Sequence, residues 1–147
     1  MHYRIREARP EDAAWLAANG AAMALETEGL ALDGPTLAAG TARIFAEPHR
    51  GAFLIAEHEA SGERAGSLLI TYEWSDWRNC DIYWIQSVYV LPEHRGQGAY
   101  AALHAEVLAR ARAAGSRVVR LYAEAQNARA HRAYEKAGMR SGHYLVF

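Results

Sequence analysis

A chain of 147 residues with 51% hydrophobic and 22% charged residues has the composition of one globular domain spanning 1–147, not of a disordered or fibrous chain. A formal net charge of -1 gives no electrostatic reason for nucleic acid to be a partner. The single cysteine, Cys80, excludes an intrachain disulfide and a cysteine-built metal cluster, no two histidines stand at a zinc-helix spacing, and no apolar run is long enough for a membrane span.

The chain opens on Met1-His2-Tyr3-Arg4-Ile5-Arg6, which lacks the apolar stretch of a signal peptide, so a cytoplasmic protein is expected. Tyr3 and Ile5 alternate with charged neighbours and predict a first strand. Pro10-Glu11-Asp12 suits the first turn of a helix whose apolar face carries Trp15, Leu16, Met23 and Leu25. Asp33-Gly34-Pro35-Thr36 predicts a turn and a second helix that runs toward Phe45 and ends before Pro48. Residues 52–58 and 66–74, joined by the polar turn at 59–63, predict an antiparallel hairpin, and Asp76-Trp77-Arg78-Asn79 turns the chain into a long strand over 82–90. A helix follows Gly98 to about Ala113, where Gly115 stops it. Then come a strand over 118–122, a helix over 127–137 ended by Gly138, and a last strand at Tyr144-Leu145-Val146-Phe147. Hairpins in the first half and strand–helix–strand units in the second predict a mixed sheet with helices on both faces.

The most informative stretch is Val88-Tyr89-Val90-Leu91-Pro92-Glu93-His94-Arg95-Gly96-Gln97-Gly98-Ala99-Tyr100. A β-branched strand ends at a proline, a basic glycine turn follows, and a helix opens. That layout points backbone N–H groups and a helix N-terminus at one spot, where a phosphate can sit. Glycine lets the backbone approach a ligand, and Arg95 adds a fixed positive charge. Such glycines equally serve a tight turn, and the dinucleotide fingerprint is absent, because its third glycine and its acidic residue are missing.

Val-x-Val-x-Pro-x-x-Arg-Gly-x-Gly resembles the coenzyme-A-binding segment of the GNAT superfamily of N-acetyltransferases. Asn127-Ala128-Arg129-Ala130-His131-Arg132-Ala133-Tyr134-Glu135-Lys136-Ala137-Gly138-Met139 resembles the same superfamily's closing motif, with one helix and one strand between the two. The resemblance covers the C-terminal half. It implies an α/β fold with a central, mostly antiparallel sheet, helices on both faces, and fourth and fifth strands, here 82–90 and 118–122, that splay apart. It implies acetyl-CoA as co-substrate, with pantetheine paired to the backbone at Val88, Tyr89 and Val90 and the pyrophosphate on the N–H groups of Arg95, Gly96, Gln97, Gly98, Ala99 and Tyr100. Asn127, a good N-cap on its own account, is implied to touch the same ligand.

The remaining candidates are set by chemistry. Tyr134 is either a core aromatic or the general acid that protonates a leaving thiolate, since a phenol with pKa about 10 stays protonated at neutral pH. An alkylamine is charged at pH 7, and removing its proton costs about 4–5 kcal/mol. The position of Gln86-Ser87 often holds a carboxylate in family members with a base on this strand. Here Gln86 and Ser87, on opposite faces of the strand, can order a water but cannot act as a base. Glu26, Glu28, Glu73, Trp74 and Asp76 are each ordinary surface residues alone and together suit a cationic amine, with Trp77, Tyr83 and Trp84 adding cation–π attraction or strand packing.

The expectation is therefore an acetyl-CoA-dependent N-acetyltransferase acting on a small primary amine by direct attack in a ternary complex, without metal. A non-catalytic acyl-CoA sensor and an acetyltransferase acting on a protein amine stay open. The apolar end at 144–147 can pair with its own sheet or with a second copy in a homodimer.

Overall fold

The computed structural model describes residues 2–147. Its sheet runs β1 (Tyr3–Glu7), β2 (Gly51–His58), β3 (Arg64–Ser75), β4 (Cys80–Val90) and β5 (Val119–Arg120) in that spatial order, antiparallel from β1 to β4. β4 and β5 are parallel, as a strand–helix–strand connection demands. The helices are α1 (Ala13–Glu28), α2 (Gly34–Ala46), α3 (Ala99–Ala113) and α4 (Ala128–Lys136).

Helices cover both faces of the sheet, so β2 has no polar side to show. Leu54 and Ala56 meet Leu103 and Val107 of α3, while Phe53 and Ile55 meet Leu16 of α1. That double burial explains the unbroken apolar run Ala52-Phe53-Leu54-Ile55-Ala56. Each helix start has a local cause. Asp33 accepts from the Thr36 N–H at 3.0 Å and caps α2. Gly98, at φ 93°, turns the chain into α3 in a conformation that favours glycine.

Asp12 fixes the entry to α1. It accepts from the Arg9 N–H at 2.9 Å, from Arg6 at 2.8 Å and from Arg64 at 3.2 Å, tying α1 to β1 and β3. The helix expected to open at Pro10 starts at Ala13, because Pro10–Asp12 winds as a 3-10 turn around this carboxylate. Leu25, expected on the apolar face, is 61% exposed. It lies nine residues after buried Leu16, about 180° round the helix.

Two strand expectations need correction. The strand expected over 118–122 pairs only at Val119–Arg120. The strand expected at 144–147 does not form: Tyr144, Leu145, Val146 and Phe147 are 70–111% exposed and join no ladder. A β-prone run needs a partner edge in register, and although the Tyr144 ring lies 5.6 Å from the Arg120 guanidinium of β5, the segment makes no backbone ladder with it. No helix among the described residues is long and apolar enough to cross a membrane.

Candidate active site

β4 and β5 form a fork. They pair at Tyr83↔Val119 and Trp84↔Arg120, and beyond that point the two strands separate. From Ile85 to Val90, β4 therefore keeps β3 on one side and has no strand partner on the other, where the Val90 carbonyl accepts from Arg95 Nε at 2.9 Å.

A β-bulge sits at the fork. Leu69 faces Gln86 and Ser67 faces Tyr89, so β4 carries one residue more than β3 over this stretch. The bulge falls at Ser87, whose φ of 51° is rare for a residue with a side chain. Its effect is to switch the parity of the strand. Tyr83 and Ile85 pack on the α3 side before it, and Val88 and Val90 do so after it. Simple alternation assigns Tyr89 to the α3 side as well; the bulge instead turns it toward α1, where its hydroxyl donates to Glu26 at 2.9 Å. Gln86 is held by a 2.6 Å bond from its amide to Thr71, and Ser87 is exposed.

Past β4, the 3-10 turn Pro92–His94 leads into the glycine turn and α3. Among the described residues, none of the N–H groups from 96 to 101 donates to another main-chain carbonyl; the first helical bond is Ala102 N–H to Gly98. Gly96 and Gly98 both have positive φ, and a Cβ built on either would meet nothing within 4 Å. The helix start is thus an open array of donors at the positive end of the α3 dipole.

A cavity of about 600 Å³ joins the fork to this turn, roofed by the end of α1 and by α4. It brings together Glu26, Glu28, Gln86, Ser87, Val88, Tyr89, Val90, Arg95, Gly96, Gly98, Ala99, Tyr100, Asn127 and Tyr134. Gln97 is not on its wall: its side-chain amide donates to the Glu93 carbonyl at 2.9 Å. Glu73, Trp74 and Asp76 are not there either. They line a separate depression of about 240 Å³, where Glu73 accepts from the Trp84 indole at 2.9 Å.

Asn127 caps α4 through its Oδ1, 3.2 Å from the Ala130 N–H. Tyr134 lies on α4 with its ring edge-on to Tyr100 at 5.2 Å between centroids, and burial pushes its phenol above the usual range. Burial raises Tyr100 more strongly, with Tyr134 adding to it, and the Tyr100 hydroxyl lies 3.0 Å from Nδ1 of His104. Burial lowers His104, which favours its neutral form.

On the α1 side Glu26 is paired. Glu26 accepts from Arg95 at 2.8 Å as well as from Tyr89, and Arg95 above all holds its carboxyl below the usual range. Glu28 lines the same wall, and no cation is bonded to it among the described residues.

Several wall residues were not foreseen from sequence. Arg129 and Lys136 share a face of α4, seven residues apart, so helical spacing from the Asn127 motif could have found them. His94 is buried at the foot of the turn, with Nδ1 3.1 Å from the Tyr3 hydroxyl, and its Nε2 is without a hydrogen-bond partner. No local pattern marks it, because the contact spans β1 and the turn.

The arrangement can hold an anion at the α3 start, pair an extended chain along β4, and present a protonated phenol on the wall of the same cavity. The fold and the family are shared with known proteins. The model of the acetyltransferase (GNAT) family matches residues 13–139. The chain is 32% identical, at a TM-score of 0.89, to a structure described as a possible acetyltransferase from Clostridium difficile 630, covering 100% of this chain and 96% of that one. A predicted acetyltransferase from Clostridium acetobutylicum, solved with acetyl-CoA, has the same fold at TM-score 0.79 and 16% identity, covering 99% and 95%. So does a ribosomal-protein-alanine N-acetyltransferase from Brucella melitensis biovar Abortus 2308, also at 0.79 and 16%, covering 99% and 96%. No curated protein sequence matches the chain significantly.

Proposed function

The chain belongs to the GNAT family of acetyltransferases, and from that premise we propose that it transfers the acetyl group of acetyl-CoA to the primary amine of a small molecule, by direct attack of the amine in a ternary complex. The observation that carries this reading is the unpaired edge of β4 beside the open amides of residues 96–101. Acetyl-CoA matches both parts. Its diphosphate suits the start of α3, and its amide-bearing tail suits the strand-free edge of β4 around Val88. The open space above Gly96 and Gly98 lets such a ligand reach the main chain. The same fold solved with acetyl-CoA in the Clostridium acetobutylicum protein supports the assignment.

When bound, acetyl-CoA supplies an activated thioester; the rest falls to this chain. Asn127, with its Oδ1 engaged in capping, has its amide nitrogen to offer the tail. Tyr134 is assigned as general acid to the leaving sulfur. A thiol pKa of about 8.5 lies below that of a phenol near 10, and burial raises the Tyr134 phenol further, so it stays protonated at neutral pH. The incoming ammonium must lose a proton first. Gln86, fixed by Thr71, and Ser87, at the exposed bulge, are assigned to order the water that carries it away. Glu28 is assigned to the ammonium on the acceptor side, and Glu73, Trp74 and Asp76 stand outside the reaction proper. A cytoplasmic location belongs to the same reading.

The test is to incubate the protein with acetyl-CoA and a broad amine panel that includes a peptide N-terminus, and to follow free thiol. Thiol release with a small amine is expected. Release with the peptide alone would make the acceptor a macromolecule. Binding of acetyl-CoA with no release across the panel would replace the enzyme with a sensor.

A further inference from the structure

Arg95 opens the glycine turn, and from sequence it belongs with the amides that meet a diphosphate. Its side chain takes another course. Nε donates to the Val90 carbonyl at 2.9 Å, and a terminal nitrogen donates to Glu26 Oε2 at 2.8 Å. The guanidinium carbon lies 5.4 Å from the centre of the Tyr89 ring, and the Tyr89 hydroxyl holds the other oxygen of the same carboxylate. These bonds join three elements: the end of α1, the end of β4 and the glycine turn.

The bulge at Ser87 determines on which side this happens. It turns Tyr89 toward α1 while Val88 and Val90 face α3. The guanidinium over Tyr89 is therefore on the α1 side, whereas the free amides of 96–101 open the helix that packs against the opposite face of the sheet. A planar fork with fixed donor directions, spent on a carbonyl and a carboxylate, is directed by those partners. The α1 end that it holds supplies Met23, Thr27 and Glu28 to the cavity.

We propose that Arg95 is a positioning residue that latches the end of α1 to β4 through Glu26 and so sets the acceptor wall of the cavity, and that it is not a ligand of the diphosphate. The inference rests on the reading of the cavity as a site for acetyl-CoA and an amine. It deepens that reading by giving the two substrates separate determinants: main-chain amides for one, the latched α1 end for the other.

Arg95→Met, Arg95→Lys and Glu26→Gln test it, with coenzyme A as the titrated ligand. All three variants are expected to bind coenzyme A within about threefold of the parent, while the Gly29 and Leu30 amides at the end of α1, which bond to Leu25 and Ala24, exchange at least tenfold faster. With the best amine of the panel, the amine KM rises at least fivefold and the acetyl-CoA KM does not. A lysine offers the point charge a phosphate needs but not the fork that spans Val90 and Glu26, so Arg95→Lys is expected to behave like Arg95→Met. A loss of tenfold or more in coenzyme A affinity for Arg95→Met, largely restored in Arg95→Lys and absent in Glu26→Gln, would overturn the proposal. If the parent protein itself binds no coenzyme A, it is the acetyltransferase reading that fails. In that case the exchange rates still decide whether the latch exists.

Discussion

Tyr134 combines two properties that its sequence position cannot separate: a ring packed edge-on against Tyr100 and a phenol kept neutral by burial. In the proposed reaction Tyr134→Phe keeps the packing and removes the proton, so kcat should fall by about 10²–10⁴ while acetyl-CoA affinity is unchanged. An unchanged kcat in that variant would return Tyr134 to the core. The pH profile carries the same sign. The working form is protonated, burial raises its pKa, and the alkaline loss of kcat from this group should therefore fall at higher pH than for an ordinary phenol. At the neighbouring strand the sequence misleads. Alternation along β4 puts Gln86 and Ser87 on opposite faces and fixes the parity of everything after them, but one extra residue at Ser87 reverses that parity. Arg95 shows the same limit, since its place in the motif is legible and the direction of its side chain depends on a carboxylate 69 residues earlier.

The elements hold their places through a few local devices. Asp12 is buried between Arg6 and Arg64, and the Arg6 bond foremost brings its carboxyl down to about 2. Its folded-state pKa is depressed, so the stability it contributes is present above the ordinary value near 3.8 and is lost as pH falls from there through about 2. The contribution is about 2 kcal/mol. Asp12→Asn should flatten that acid limb in urea titrations and lower stability at neutral pH by about 2 kcal/mol, the contribution of the depressed carboxyl, while Arg6 keeps its second carboxylate partner, Glu57. α4 has no buried residue, so its start relies on the Asn127 cap. Asn127→Ala should cost about 1 kcal/mol, seen as faster amide exchange at Ala130. Gly98→Ala meets no neighbour, and its expected penalty of about 1–2 kcal/mol comes from a φ of 93° alone. The same change puts a methyl over the amides of α3, and acetyl-CoA affinity should fall with it.

Across the whole molecule, ligand binding and folding are linked. Acetyl-CoA at about 100 times its Kd should add about 2.7 kcal/mol, which at this size raises Tm by roughly 5–10 °C. No heat and no thermal shift on titration would remove the basis of the proposed function. The order of strands and helices, the two-faced sheet, the glycine turn and the Asn127–Gly138 helix are all legible in the sequence, because each depends on residues within a few positions of one another: apolar spacing, proline and glycine at turns, caps at helix starts. The tertiary structure alone decided the rest. It pairs β5 with β4 over two residues only, leaves 144–147 without a strand partner, bulges β4 at Ser87, turns Arg95 to Glu26 and separates Glu73, Trp74 and Asp76 from the cavity. Those outcomes depend on which edge meets which and in what register, a balance of distant contacts that no short stretch of the chain contains.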